Sequence, residues 1–274
     1  MFTLNCKGTL ISLEQPVVMG IINATPDSFY GGSRAATQSL ALEKANTMIQ
    51  EGAFILDIGG QSTRPGSVQI GANDELDRVV PVIDSLKKAF PSTLISVDTY
   101  HPTVAIAAVQ AGADIVNDIS GGRFEDNMLS TVASLNVPYI CMHSRGTIET
   151  MHEKPASNNI ITELLDYFIE RIDACNQAGI KDIIIDPGFG FGKTIEDNFT
   201  LLKEMEALQI LRKPLLLGVS RKSSIYQTLK ITPEESLNGT TVLNTVGLMN
   251  KAIILRVHDV KEAVQAIQLY QMMK

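Results

Sequence analysis

Residues 51–60, EGAFILDIGG, carry the pattern that decides the fold, and it returns as AGADIVNDISGG over 111–122 and as AGIKDIIIDPGFG over 178–190. In each copy a glycine (Gly52, Gly112, Gly179) ends a helical pattern, a short apolar run follows, and a polar residue stands where the run stops. Glycine suits such a helix end because the left-handed backbone there is nearly free only without a Cβ. Ahead of Gly179, the residues Ile161, Leu164, Leu165, Phe168, Ile172 and Cys175 recur at the spacing of one buried helical stripe. Working outward, the runs VVMGII, FILDI, LISVD, DIVND, PYICM, DIIID, LLLGV and AIILRV are short and continuously apolar, as parallel strands covered on both faces are. Eight such strands, each followed by a helix, fit a closed (β/α)8 barrel or an open doubly wound sheet, and periodicity does not separate the two. The α/β TIM barrel, which commonly uses roughly 250 residues as one domain, is the expected form. Before the first unit, FTLNCKGTLISL reads as an N-terminal β-hairpin turning near Lys7 and Gly8, a plug over the barrel floor.

The composition agrees with one packed domain. Of 274 residues, 45% are hydrophobic and 19% charged, enough for a large core. A formal net charge of -7 disfavours a nucleic-acid partner, which needs a cationic face, and leaves room for a small anion if a few cations gather locally. The opening MFTLNCKGTLISLEQP lacks the apolar core of a signal peptide, and no run approaches the roughly 20 apolar residues of a membrane helix. Cys6, Cys141 and Cys175 are odd in number and contain no C-x-x-C pair, so they read as reduced thiols of a cytoplasmic protein. No linker or low-complexity tract divides the chain, and 1–274 is taken as a single domain.

Just past the eight runs stand Asn23, Asp57, Asp98, Asn117, His143, Asp186, Ser220 to Lys222, and Arg256 with His258. Any one Asp or Asn there would serve as a helix cap. In a barrel, however, all eight C-terminal strand ends meet at one rim, where catalytic residues of such enzymes are found. Asp98, Asn117 and Asp186 offer acceptors to a planar heterocycle with amino and ring N–H donors. Lys222, Arg64, Arg256 and His258 suit an anion. A small-molecule ligand carrying both features is expected. Ser223 and Ser224 fall at a helix start, where free N–H groups attract a carboxylate or phosphate and where serine is also an ordinary N-cap.

The stretch DPGFGFGKT is not a phosphate-binding loop, because Pro187 takes the place of the first glycine of G-x-x-x-x-G-K-[ST]; Lys193 likewise takes that of the last glycine in the dinucleotide pattern. Its glycines allow a tight strand-to-helix turn carrying Phe189 and Phe191, either of which would be core or line an aromatic substrate. His152 with Glu153 lacks the second histidine of a zinc helix.

Seven separated segments then resemble the dihydropteroate synthases, in order and across essentially the full length: GIINATPDSF from Gly20, DIGGQSTRPG from Asp57, ISVDT from Ile95, IVNDISGG from Ile115, DPGFGFGK from Asp186, GVSRKS from Gly218 and RVHD from Arg256. The resemblance implies a homodimeric barrel and a Mg2+-dependent joining of a pterin pyrophosphate to p-aminobenzoate. By it, Asp98, Asn117, Asp186 and Lys222 hold the pterin, with Met142, Phe191 and Gly218 lining its pocket. It places Asn23 on Mg2+ and, with Arg64, Arg256 and His258, on the pyrophosphate. The loops bearing Phe29 and Thr63-Arg64-Pro65 would close over p-aminobenzoate, whose carboxylate would sit near Ser223. Asp98, Lys222 and Arg64 are the expected catalytic residues. The chain departs from the family pattern at Tyr30 and Gly31, where Ser-Asp is common, at Gln61 for Glu and at Ser144 for Met. The nearest alternative is a pterin-binding methyltransferase domain, which has no need of the STRPG, SRKS and RVHD anion sites.

Overall fold

The computed structural model describes residues 2–24, 34–61, 69–146, 150 and 158–273, with the backbone alone for 34–37. β1 (Phe2–Cys6) and β2 (Thr9–Leu13) form the antiparallel hairpin. Its two-residue turn holds Lys7 and Gly8 at φ 53° and 92°, the doubly left-handed conformation whose twist matches the flanking strands.

The eight apolar runs become β3 (Val17–Asn23), β4 (Ile55–Gly59), β5 (Leu94–Asp98), β6 (Ile115–Asp118), β7 (Tyr139–Met142), β8 (Ile183–Asp186), β9 (Leu216–Leu217) and β10 (Ile254–Val257). They form one sheet in the order β8-β7-β6-β5-β4-β3-β10-β9, every pairing parallel. The two ends meet where Ile185 bridges Leu215 in parallel, with the Ile185 N–H donating to the Pro214 carbonyl at 3.0 Å. That seam makes the sheet a barrel. β9 is shorter than its run suggests, with two residues in regular pairing.

Successive side chains of a strand face opposite sides, so each strand feeds two cores. One inward residue from every barrel strand (Met19, Ile55, Leu94, Ile115, Ile140, Ile184, Leu216, Ile254) packs with Leu4, Cys6 and Leu13 of the hairpin. The hairpin therefore plugs the floor. The alternate residues, such as Val18, Leu56, Val97, Cys141 and Leu255, face outward into a second core shared with the helices.

Those helices are α1 (Arg34–Gln50), α2 (Ala72–Ala89), α3 (Pro102–Ala111), α4 (Met128–Leu135), α5 (Ile160–Ala178), α6 (Ile195–Glu204), α7 (Ser223–Leu229), α8 (Leu237–Met249) and α9 (Val260–Gln271). One follows each barrel strand, and α8 is an addition between α7 and β10. Gly52, Gly112 and Gly179 end their helices at φ 102°, 123° and 96°. α5 starts on Asn159, whose side chain accepts from the N–H groups of Ile161 and Thr162. It buries Leu164, Phe168 and Cys175, and a fully buried side chain of the Phe168 kind contributes about 1.5–3 kcal/mol. α6 starts on a reciprocal Thr194–Asp197 capping box. All three cysteines are buried and free. Among the described residues no helix is long and apolar enough to cross a membrane.

Candidate active site

The alternation that builds the floor also builds the site. Two residues beyond the floor layer, the inward positions read Ile21, Asp57, Ser96, Asn117, Met142, Asp186, Gly218 and Arg256. The next step reaches Asn23, Gly59, Asp98 and His258. Most of the inner face thus turns from aliphatic to polar toward the C-terminal mouth.

Register sets the neighbours. Asn23 is paired with Gly59, Gly59 with Asp98, Asp98 with Asn117, and Met142 with Asp186. Arg256 reaches across from β10, its Nε donating to Asp57 Oδ2 at 2.7 Å and its Nη2 to Asp98 Oδ2 at 2.6 Å. Asn117 Nδ2 donates to the same Asp57 oxygen at 3.1 Å. Its carbonyl oxygen is thereby left facing away from Asp57. Asp57 is fully buried, and among the described residues its Oδ1 has no hydrogen-bond partner.

The acceptors and cations therefore interleave, where the strand-end reading expects two separate sets. Ion pairing inside a low-dielectric mouth is the reason, since a buried guanidinium without carboxylates would be costly. Burial works against the charge of Arg256, but Asp57 and Asp98 outweigh it and hold the guanidinium more basic than usual. Burial pushes the Asp98 carboxyl up, with Arg256 pulling it down. Asp186 is raised by burial too, against the Gly188 N–H that donates to its Oδ1 at 2.7 Å.

Lys222 precedes α7 and sets its ammonium 4.0 Å from the Phe191 ring centroid, a cation–π contact. Burial and then Arg256 lower its pKa to about 8, against Asp186 and Asp98. Ser223 is the first residue of α7 and not its N-cap, a place taken by Lys222. His258 lies among cations. Burial, followed by Arg256 and Lys44, drives its pKa down to about 3, so the free ring is neutral at pH 7 and can offer an anion an N–H. The Ser220 hydroxyl lies 3.0 Å from His258 Nδ1 and accepts the His258 backbone N–H at 3.1 Å, which fixes the ring. Arg221 is bound to Asp259 through both Nε and Nη2 and serves the loop.

Phe189 enters the outer core, while Phe191 joins Tyr100, Ile119 and Met142, with Phe124 against them, in an apolar wall at the mouth. Gly218 has the Arg256 Cβ as its nearest neighbour, 3.9 Å from where its own Cβ would be. His143 turns away from the mouth, with Nε2 3.4 Å from Glu163 and Nδ1 2.9 Å from Lys193. Thr63 and Arg64, with Phe29, Tyr30, Gly31, His152 and Glu153, lie outside the described residues.

Two buried groups escape a strand-end reading, because the roles of Lys193 and Glu75 depend on what packs against them; Asp57 stands among the strand-end residues, but its pairing with Arg256 is not legible there. Glu75, in the first turn of α2, is 1% exposed, and among the described residues its Oε2 has no hydrogen-bond partner. Burial and then Asp98 raise its pKa from 4.5 to about 8, against a hydrogen bond with Thr99. A carboxyl that is protonated in the folded chain and ionised in the unfolded one stabilises the fold below the unfolded pKa. That stability is lost as pH rises through the folded pKa. Glu75→Gln, which mimics the neutral acid, should raise Tm above wild type at pH 8 and beyond, and the gain should shrink toward acid. Thermal unfolding across that range checks it; equal Tm values at alkaline pH would refute the assignment.

The comparisons with known proteins fall on this same geometry. Residues 19–258 match the family model described as "Pterin binding enzyme". The dihydropteroate synthase of Escherichia coli (strain K12) is 42% identical over 97% of this chain and 94% of its own length. A Xanthomonas albilineans dihydropteroate synthase solved with 4-aminobenzoic acid superposes with a TM-score of 0.92 at 40% identity, covering 99% of this chain and 97% of that one. The chain belongs to the dihydropteroate synthases, within the pterin-binding enzymes. The Xanthomonas albilineans enzyme in complex with 7,8-dihydropteroate matches as well, with a TM-score of 0.89 at 38% identity over 99% and 98% of the two chains. Two departures from the family pattern are absorbed locally. Gln61 Oε1 accepts from the Tyr100 hydroxyl at 3.2 Å, and the Ser144 hydroxyl donates to the Ile119 carbonyl at 3.1 Å.

Among the described residues no three His, Cys, Asp or Glu side chains surround a common point, and the oxygen donor at the end of β3 is the amide of Asn23. One amide oxygen suits Mg2+, which keeps several waters and takes substrate phosphate oxygens in place of a protein cage. The donor set fits that ion.

Proposed function

We propose that the chain joins 6-hydroxymethyl-7,8-dihydropterin pyrophosphate to p-aminobenzoate, giving 7,8-dihydropteroate and pyrophosphate. The observation that carries the reading is the mouth itself, where Asp98, Asn117 and Asp186 offer acceptors within reach of Arg256 and Lys222.

Asp186, Asp98 and the outward-turned Asn117 carbonyl accept from the amino and ring N–H groups of the pterin, with Lys222 donating to it. Met142, Phe191 and Gly218 shape the slot. Arg256, the N–H of His258 and Arg64 bind the diphosphate, and Ser223 with Thr63 takes the p-aminobenzoate carboxylate. The amine nitrogen attacks the exocyclic methylene as its bond to the bridging oxygen breaks. The electron pair leaves with the diphosphate, and the surplus proton on nitrogen passes to solvent. The aryl amine is neutral at pH 7 and its ammonium product is acidic, so the step needs no strong base. Asp98 and its neighbours stabilise the positive charge that spreads into the ring as the leaving group departs. Lys222 and Arg64 meet the negative charge. Asn23 would hold Mg2+ together with diphosphate oxygens, and the ion would add charge neutralisation on the leaving group. Positioning and electrostatics supply the acceleration, without a covalent enzyme intermediate. The assembly we infer, from resemblance to the family, is one barrel domain per chain in a cytoplasmic homodimer; the free thiols support a reducing compartment.

A pyrophosphate-release assay with pterin pyrophosphate, p-aminobenzoate and Mg2+, each omitted in turn, tests the reading. Release should need both substrates and fall sharply without the ion. Release that ignores p-aminobenzoate would overturn the transfer, and release unaffected by chelation would remove the metal.

A further inference from the structure

The glycine-rich turn that fails as a phosphate loop ends in a lysine that the reaction does not use. Lys193 is fully buried. Its ammonium sits inside the arch between β8 and α6, 2.9 Å from the Gly188 carbonyl, 3.3 Å from the Phe191 carbonyl, 2.9 Å from His143 Nδ1 and 3.4 Å from the His143 carbonyl. The arch has no regular secondary structure over residues 187–194, and Gly188, Gly190 and Gly192 all have φ between 65° and 87°. Chain of that kind keeps no shape by itself. Yet it carries Asp186 at one end and Phe191 in the middle, both facing the mouth.

We propose that Lys193 is the positioning residue of the pterin slot: its ammonium clamps the arch from inside, so that Asp186 and Phe191 are held in ligand-ready places. The inference rests on the pterin reading above and concerns a group that touches no substrate. Four acceptors surround Nζ, and only the charged amine brings as many as three donors to them. Because Nδ1 of His143 takes one of them, the His143 Nε2–H points to Glu163. Glu163 in turn binds Arg145 through Nε and Nη2, and Arg145 reaches the Gly192 carbonyl at 3.0 Å and Asp197 at 2.9 Å. The clamp is thus tied to β7, α5 and α6 at once.

The charge of Lys193 is finely poised. Burial and Arg145 lower its pKa to about 7, while Asp186, Glu163 and Asp197 oppose them, and His143 at its side is itself held neutral. Losing the proton removes one donor and turns a lone pair toward carbonyl oxygens. The arch should loosen as pH rises through neutrality.

The test uses the full chain as wild type and as Lys193→Met, with free 6-hydroxymethylpterin as the calorimetric probe and turnover with p-aminobenzoate as the control. Lys193→Met should weaken pterin binding by roughly tenfold or more, leave the KM for p-aminobenzoate within about twofold, and remove the share of the expected alkaline decline in affinity that Lys193 contributes near neutrality, the share from Lys222 remaining. A folded Met variant with wild-type pterin affinity overturns the clamp. If the variant does not fold, hydrogen exchange of residues 188–192 in the wild type decides. Corrected for intrinsic pH dependence, their protection should drop about tenfold across the titration, and constant protection overturns the proposal. A wild type that binds pterin but makes no dihydropteroate would refute the function and leave the clamp standing.

Discussion

Arg256→Met should cost about 3–5 kcal/mol of folding stability, the usual penalty for removing one member of a buried ion pair. The guanidinium donates at 2.7 Å to Asp57 and at 2.6 Å to Asp98. Asp57 is wholly inside, so without Arg256 it must either stay charged in a low dielectric or take up a proton. Both routes are costly at neutral pH. Urea unfolding of the variant checks the size of the loss. Adding Asp57→Asn should return part of the loss, since the second change removes the stranded charge. A single-variant loss under about 1 kcal/mol, the scale of an exposed pair, would mean that water reaches these groups and that the buried-pair account is wrong. Binding should change selectively as well. Affinity for pyrophosphate should drop more than affinity for free pterin, and equal losses would contradict the role proposed for Arg256.

Gly188→Ala should abolish most activity through shape alone. The residue sits at φ 67°, where a Cβ is already unfavourable by about 1–2 kcal/mol. A Cβ there would also lie 1.8 Å from the His143 carbonyl oxygen and 3.0 Å from its carbon. That carbonyl cannot step aside cheaply, because the His143 N–H is bonded to the Asp186 carbonyl at 2.9 Å and the strand pair moves as a unit. The arch must move, taking with it the Gly188 N–H that orients Asp186. We expect a stability loss above about 2 kcal/mol and a pterin affinity lower by more than about tenfold in whatever remains folded. Gly190→Ala is the control. Its Cβ would meet the flexible Lys222 side chain at 3.2 Å, so only the left-handed backbone at φ 87° is strained. Calorimetry on both variants checks the contrast, and similar losses would show that backbone strain, not the collision, is what matters.

Much of this architecture is legible along the chain because it arises from local periodicity. The glycines at 52, 112 and 179 end helices as their placement requires, and the runs between them alternate between two apolar environments, which is why they are apolar throughout. The polar residues at the strand ends can be listed before any fold is known. Their partners cannot. Arg256 pairs with Asp57 and Asp98, which stand 199 and 158 positions away along the chain, and nothing local marks an arginine as spoken for. The same holds for His258, basic on paper and neutral beside Arg256, Lys44 and Lys222, and for Ser223, one residue inside α7 and not at its cap.

From its residues alone this protein specifies eight strand–helix units, a hairpin ahead of them, and a ring of polar groups at the strand ends, since each follows from spacings of two to four residues. Closure at Ile185 and Leu215, the interleaving of charges at the mouth and the burial of Lys193 under the glycine arch were decided by the tertiary structure. Charge state and orientation in a buried site depend on distances between groups that only closure of the barrel brings together.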